Sequence, residues 1–284
     1  MNMDLSNFLN IFGFQDNDKR FELPKNYFLK KEYQNFSIED FNNDWIIGER
    51  HGDDTQNFKK INNYFQNSHE FPNTLKSTIR IENNLLKLGV KYEPKEFPEK
   101  NQYPLFKSGK IESRNEFHYG IIQVTAKVPN NKYLWPGIWL RGKNSWPPEI
   151  DIVEFYNKFR PQYASSNNII AQPNLHYVDK NGNNTNANVG SKYVLHPDER
   201  YVKYTLWWEK EFIRIYFDDY LVYECTDNFI LNQFQQPMYL ILDNAVEQGV
   251  KLSNKDIDLL NNGDNWFNIT NIKYFIKRNL TKKL

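Results

Sequence analysis

Glu149-Ile150-Asp151-Ile152-Val153-Glu154 decides the reading of this chain, because it sets three carboxylates into what is otherwise a buried β-strand. Side chains alternate faces along a strand, so Glu149 and Asp151 share one face while Ile150 and Ile152 take the other. A regular continuation would place Val153 beside the acids and drive Glu154 into the apolar layer. An unpaired charge buried there is very unfavourable. One extra residue near Ile152-Val153, a β-bulge, returns Glu154 to the acidic face. The stretch therefore predicts a bulged strand that presents three acids to one cleft.

The spacing also points to a chemistry. With the bulge, Glu149 and Glu154 stand about four strand rises apart, or about 13 Å between α-carbons. Two glutamate side chains leaning together shorten that toward the carboxyl separation of about 5–5.5 Å used by retaining glycosidases, against about 6.5–9.5 Å for inverting ones. Asp151 between them can hydrogen-bond the acids and push their proton affinities apart. A solvated acidic strand or a metal site would use the same residues, so the motif alone leaves all three readings open.

Outward from the motif, the chain is strand-dense and turn-rich. Thr78–Ile81, Leu85–Val90 and Ile121–Val128 read as strands, with Asn83-Asn84 as a tight hairpin turn between the first two. Residues 1–35 show no sustained period and read as a peripheral segment of a single domain spanning 1–284. Residues 179–190 form a polar loop, and the one helix expected is a short one around Asp256–Asn261. No repeat of 20–50 residues occurs, which argues against a propeller or solenoid. The pattern predicts an all-β sandwich.

Four further segments, in order along the chain, accompany the acids. They are Tyr119-Gly120 with Leu134-Trp135-Pro136-Gly137-Ile138-Trp139-Leu140, then Tyr204–Trp208 with Ile213–Asp218, and Pro237–Val246. With the acidic stretch they resemble glycoside hydrolase family 16, whose segments read "YG…(L)WPxxW", "YxxxW…(I)xFYxDG" and "P(F)YLILNxAVGG"; the resemblance runs from about residue 35 to 276. It implies a jelly roll of two curved antiparallel sheets with an open substrate cleft on the concave face. It also implies an endo-acting retaining hydrolase of internal β-glycosidic bonds in a β-glucan or galactan, with Glu149 as nucleophile, Glu154 as acid/base and Asp151 orienting the pair.

The same resemblance implies substrate contacts. Trp135 and Trp139 are expected to flank the scissile bond, and Trp146 lies on the loop feeding Glu149. His176 occupies the place of a histidine that faces the acids, and Arg141 and Asn244 are further cleft candidates. Sugar C–H faces stack on indoles, which gives the tryptophans a reason to be there. Trp208 is expected in the core and Trp207 pointing oppositely, into the cleft. Arg141, Lys143, Lys158 and Arg160 flank the acidic strand and would suit a sulfated galactan. Departures are Asp218-Asp219 for an Asp-Gly turn, Glu247-Gln248 for a glycine pair, and a last strand, Ile269–Phe275, without the aspartate that helps bind structural calcium in relatives. No cofactor is expected to be required, and a calcium site is doubtful.

Bulk properties narrow the rest. A net charge of +1 writes in no attraction for nucleic acid or membrane, and no apolar run is long enough for membrane insertion. Cys225 is the single cysteine and reads as a packed thiol. Met1–Asn10 lacks the pattern of a secretory signal, while a polysaccharide or oligosaccharide partner suggests extracellular action or release by lysis. A monomer is expected. The competing readings are a non-catalytic carbohydrate-binding jelly roll, a transglycosylase on the same scaffold, and a structural jelly roll in which the acids are incidental.

Overall fold

The computed structural model describes residues 20–50, 63–66, 72–95, 105–129, 131, 133–156, 169–187, 193–195, 200–246, 252–262 and 265–278. The first strands are β1 (Tyr27–Gln34), β2 (Trp45–Ile47), β3 (Asn63–Phe65), β4 (Ile79–Glu82), β5 (Leu85–Leu88) and β6 (Val90–Tyr92). Then come β7 (Phe106–Phe117), β8 (Gly120–Lys127), β9 (Leu134–Gly142), β10 (Glu149–Tyr156), β11 (Ile169–Val178) and β12 (Asn184–Asn186). The last are β13 (Tyr193–Leu195), β14 (Val202–Trp208), β15 (Ile213–Phe217), β16 (Tyr220–Cys225), β17 (Met238–Val246) and β18 (Phe267–Lys277). Among the described residues three short α-helices join them: α1 (Ile38–Asp44), α2 (Asn228–Leu231) and α3 (Asn254–Asn262).

These strands make two sheets packed face to face. One runs β16-β15-β14-β8-β18-β5-β4, with β1 added along β18. The other runs β12-β11-β10-β9-β17-β7-β2, with β13 on β11 and with β3 and β6 on β7. Pairing is antiparallel throughout except for β3, which lies parallel to β7. The core fills the space between the sheets. Ile138 and Leu140 of β9, Ile150 of β10 and Leu242 of β17 meet Val124 of β8, Leu206 of β14 and Ile269 of β18 there, all fully buried. Along β9 the alternation leaves Trp139 and Arg141 on the opposite face, away from the core.

Several expectations hold in detail. Asn83 and Asn84 have φ of 53° and 62°, the left-handed pair that a two-residue hairpin needs. Asp218 and Asp219 make the same kind of turn at φ 45° and 72° without glycine. There the Asp218 carboxylate accepts the Lys203 amide at 2.9 Å and pairs with Arg200 at 2.6 Å. Cys225 and Trp208 are buried in the main core, and α3 covers the expected helix.

Others are corrected. Residues 27–34 are not peripheral: β1 pairs with β18, and Tyr27 and Tyr33 are buried. Residues 1–19 lie outside the described residues. Two helices were not expected. In α1 the Ser37 side chain accepts the Asp40 amide at 3.1 Å, and in α2 Asp227 caps Phe229. Trp207 does not enter a cleft. It packs edge-on against Phe21 and Tyr27 on the outer face of the β14 sheet. Among the described residues no helix is long and apolar enough to cross a membrane.

The packing carries one prediction about β10. Deleting Ile152 leaves Glu154 on the acidic face by regular alternation but removes a fully buried side chain from the core and slips the rest of β10 against β9 and β11, so it should destabilise by about 3 kcal/mol or more. Ile152→Val keeps the residue count and should cost about 1 kcal/mol. Urea unfolding of both variants decides it, and similar losses in the two would remove the extra residue from the argument.

Candidate active site

The site is built on β10. Against β11, Glu149 pairs with His176 and Asp151 with Asn174, but Glu154 pairs with Gln172, one residue out of step. Against β9 the shift falls between Asp151 and Val153. Ile152 is therefore the extra residue. Ile152 and Val153 both enter the core, and Glu154 comes back to the face of Glu149 and Asp151. Residues directly opposite in a sheet share a face, so the register lays out rows across this wall. One row reads Tyr239, Arg141, Glu149, His176; the next reads Ile241, Trp139, Asp151, Asn174. The third reads Lys110, Asp243, Gly137, Glu154, Gln172.

Indole N–H groups meet the carboxylates one for one. Trp146 Nε1 donates to Glu149 Oε2 at 2.9 Å, and Trp135 Nε1 donates to Glu154 Oε1 at 3.1 Å. Trp139 donates to Asp243. Each of the three sequence-predicted tryptophans thus touches an acid of the wall. His176 joins them: its Nε2 lies 3.3 Å from Glu149 Oε1 and 3.2 Å from Asp151 Oδ2. Its ring is 6.0 Å from that of Trp146.

The electrostatics follow from crowding acids into a poorly hydrated wall. Burial pushes Glu149 well above the ordinary carboxylate range and Asp151 adds to it, while His176 and the Trp146 N–H oppose. Asp151 is raised by its own burial and by Glu154, although it shares a hydrogen bond with Glu149. Glu154 is pushed up to about 7, by burial first and by Asp243 in addition, against His176 and the Trp135 N–H. Asp243 is pushed up to about 6 by burial, with Lys110 opposing. Glu149 keeps 14% of its side chain exposed and Asp151 only 3%. A wall of this kind must hold protons at neutral pH, and its acids differ in how much water and how many donors they have.

Beside the acids runs a chain of ion pairs. Glu49 binds Arg141 and, at 3.0 Å, Lys110. Burial alone would raise Glu49, but the two cations outweigh it and hold it low. Arg50 lies 3.8 Å over the Tyr239 ring with Nε 2.7 Å from the buried Glu112. Glu149, Asp151 and His176 offer ligand atoms within 4.8 Å of one another. We read them as a hydrogen-bonded acid–imidazole cluster, since His176 Nε2 is already within hydrogen-bond distance of both acids.

Two predicted contacts change. Asn244 is fully buried on the opposite face of β17, its Nδ2 donating to Leu88 O at 3.0 Å and Asn265 O at 3.1 Å. It ties the sheets together and does not face the cleft. Its neighbour Asp243 does, because alternation along β17 sends Leu240, Leu242 and Asn244 one way and Ile241, Asp243 and Ala245 the other. Arg141 faces the cleft but is bound to Glu49. Lys143 pairs with Glu116, and Lys158 and Arg160 lie outside the described residues. Sequence reasoning missed Glu49, Lys110 and Asp243.

Endo-1,3-1,4-beta-glycanase EglC of Rhizobium meliloti (strain 1021) is 27% identical over 144 residues, 50% of this chain and 28% of that protein. Keratan-sulfate endo-1,4-beta-galactosidase of Sphingobacterium multivorum is 30% identical over 159 residues, 49% of this chain and 34% of that protein. The chain thus spans about a third or less of the length of these relatives. The laminarinase catalytic domain from Thermotoga maritima MSB8 superposes with a TM-score of 0.67 at 17% identity, over 90% of this chain and 100% of that one, a likeness of fold. The sequence profile of Glycosyl hydrolases family 16 matches residues 51–251, well over half of the length and the whole of the bulged acid strand. By that match the chain belongs to glycosyl hydrolases family 16.

Proposed function

We propose that this chain is an endo-acting β-glycosidase that cleaves internal bonds of a β-glucan or β-galactan with retention of configuration, the stereochemistry of its family. The observation that carries the reading is the bulge at Ile152, which sets Glu149 and Glu154 on one wall in unequal surroundings. Burial and Asp151 raise Glu149, and its residual water, the Trp146 N–H and His176 are what oppose that rise and support its anion for attack. Glu154 sits near its neutral form at working pH.

Glu149 attacks the anomeric carbon as its bond to the leaving oxygen breaks, and Glu154 gives that oxygen its proton. The glycosyl–Glu149 ester is then opened by water, whose proton returns to Glu154. Asp151, the least hydrated of the three, shares a hydrogen bond with Glu149 and holds that carboxylate in place for the attack. The EglC relative is a beta-glycanase and the Sphingobacterium multivorum relative a beta-galactosidase, and the reading keeps both glucan and galactan.

Reducing-end release from laminarin, lichenan, agarose, carrageenan and desulfated keratan, with proton NMR of the first-formed anomer, tests the reaction. We expect mid-chain cuts in at least one of these and a β-anomer first. No cleavage in any would defeat the proposal. Glu149→Gln should lower kcat by more than about a thousandfold while leaving the melting temperature and glycan binding in place. Near-wild-type turnover in that variant would reassign the nucleophile.

Because Glu154 is protonated below about pH 7, kcat/KM should fall as pH rises through that value. In Glu154→Gln, turnover of an aryl β-oligosaccharide with a good leaving group should lose this alkaline limb. A limb that persisted would belong to another group.

A further inference from the structure

We propose that Asp243 is a positioning residue for Glu154: its carboxylate faces Glu154 across Gly137 and keeps the proton on Glu154. The inference rests on the reading of Glu154 as acid/base given above. Asp243 and Glu154 both lie opposite Gly137, on strands β17 and β10 to either side of β9. Strands once removed are about 10 Å apart, a gap two acidic side chains can narrow only if nothing stands between them. Gly137 leaves that space open. A Cβ there would come 2.9 Å from Asp243 Oδ1 and 3.3 Å from Trp139 Cδ1.

Asp243 is held rather than loose. The Trp139 N–H fixes its carboxylate, and only 15% of the side chain reaches solvent. The cation facing it from β7, Lys110, stands 3.9 Å away but is nearer to Glu49, at 3.0 Å. Arg141 from β9 is also bound to Glu49. Much of the local positive charge is therefore met by Glu49, and the negative charge on Asp243 acts across the glycine. From the other side Glu154 faces His176 on β11, which favours its anion, and Asp151 on its own strand, which does not. Asp243 loses its proton at about 6 and Glu154 at about 7, so between them the first is charged while the second is still an acid.

The test reads the carboxyl directly. Protein labelled with 13C at the glutamate carboxyl carbons is titrated, with the Glu154 signal identified by its absence in Glu154→Gln. In Asp243→Asn, which still offers Trp139 an acceptor, the Glu154 titration should move down by about half a unit or more. Asp243→Ser, equally neutral, should do the same, and Asp243→Glu should restore the wild-type value. In active enzyme the alkaline limb of kcat/KM should follow. An unmoved Glu154 titration in either folded neutral variant overturns the proposal. If the titration moves but wild-type protein cleaves no glycan, the coupling stands and the assigned function falls.

Discussion

An ionised glutamate is not tolerated in the apolar layer between two sheets, and β10 answers that constraint with one additional residue. Placing Ile152 and Val153 side by side in the core lets Glu154 rejoin Glu149 and Asp151 without leaving a gap in the packing. The shift does more than rescue a charge. It advances Glu154 by one position relative to both neighbouring strands, opposite Gly137 on one side and Gln172 on the other. Glycine at 137 then becomes a requirement of the site, since any side chain would strike Asp243 or Trp139. The row that holds Glu154 takes its register from that insertion.

The tryptophans bear on the same constraint from the other direction. An indole removes water from whatever it covers, which disfavours a nearby anion, yet its N–H can return a hydrogen bond to that anion. Trp135, Trp139 and Trp146 do both, each toward a different carboxylate. On the proposed function, a sugar stacked here would meet aromatic faces already tied in orientation by the acids, which would join substrate grip to proton placement.

What is legible in the sequence depends on the range of the interactions involved. The bulge was legible because alternation and the penalty for a buried charge act within six residues. The Asn83-Asn84 turn was legible for the same local reason. Asp243 was not, because choosing between it and Asn244 requires the register of β17 against β9, and a slip of one residue exchanges the faces. Glu49 and Lys110 lie 61 residues apart and would ordinarily be taken as solvated charges. Trp207 lies on the outer face because Phe21 and Tyr27 cover it there, and no residue near it in the sequence reveals those distant partners. The Ser37–Asp40 cap was present in the sequence, but a helix of seven residues is too short to show a period.

The wall also sets function against stability. Glu149, Asp151, Glu154 and Asp243 all hold protons more tightly folded than unfolded. Between ordinary carboxylate values and their raised ones the unfolded chain binds fewer protons, so folding weakens as pH climbs through that range. Their neutral forms support the fold fully only below the ordinary range, where no carboxylate remains to attack a sugar. Glu49 works in the opposite sense: its lowered value gives stability above the ordinary glutamate range, lost as pH falls through its folded value. The proposed reaction needs one anion and one acid together, which would place the working protein partway down the first slope, with Glu49 still ionised between Lys110 and Arg141. Glu49 thus stabilises the same wall at the pH where its neighbours weaken it, which gives this buried ion-pair chain a reason to lie directly beside the acids.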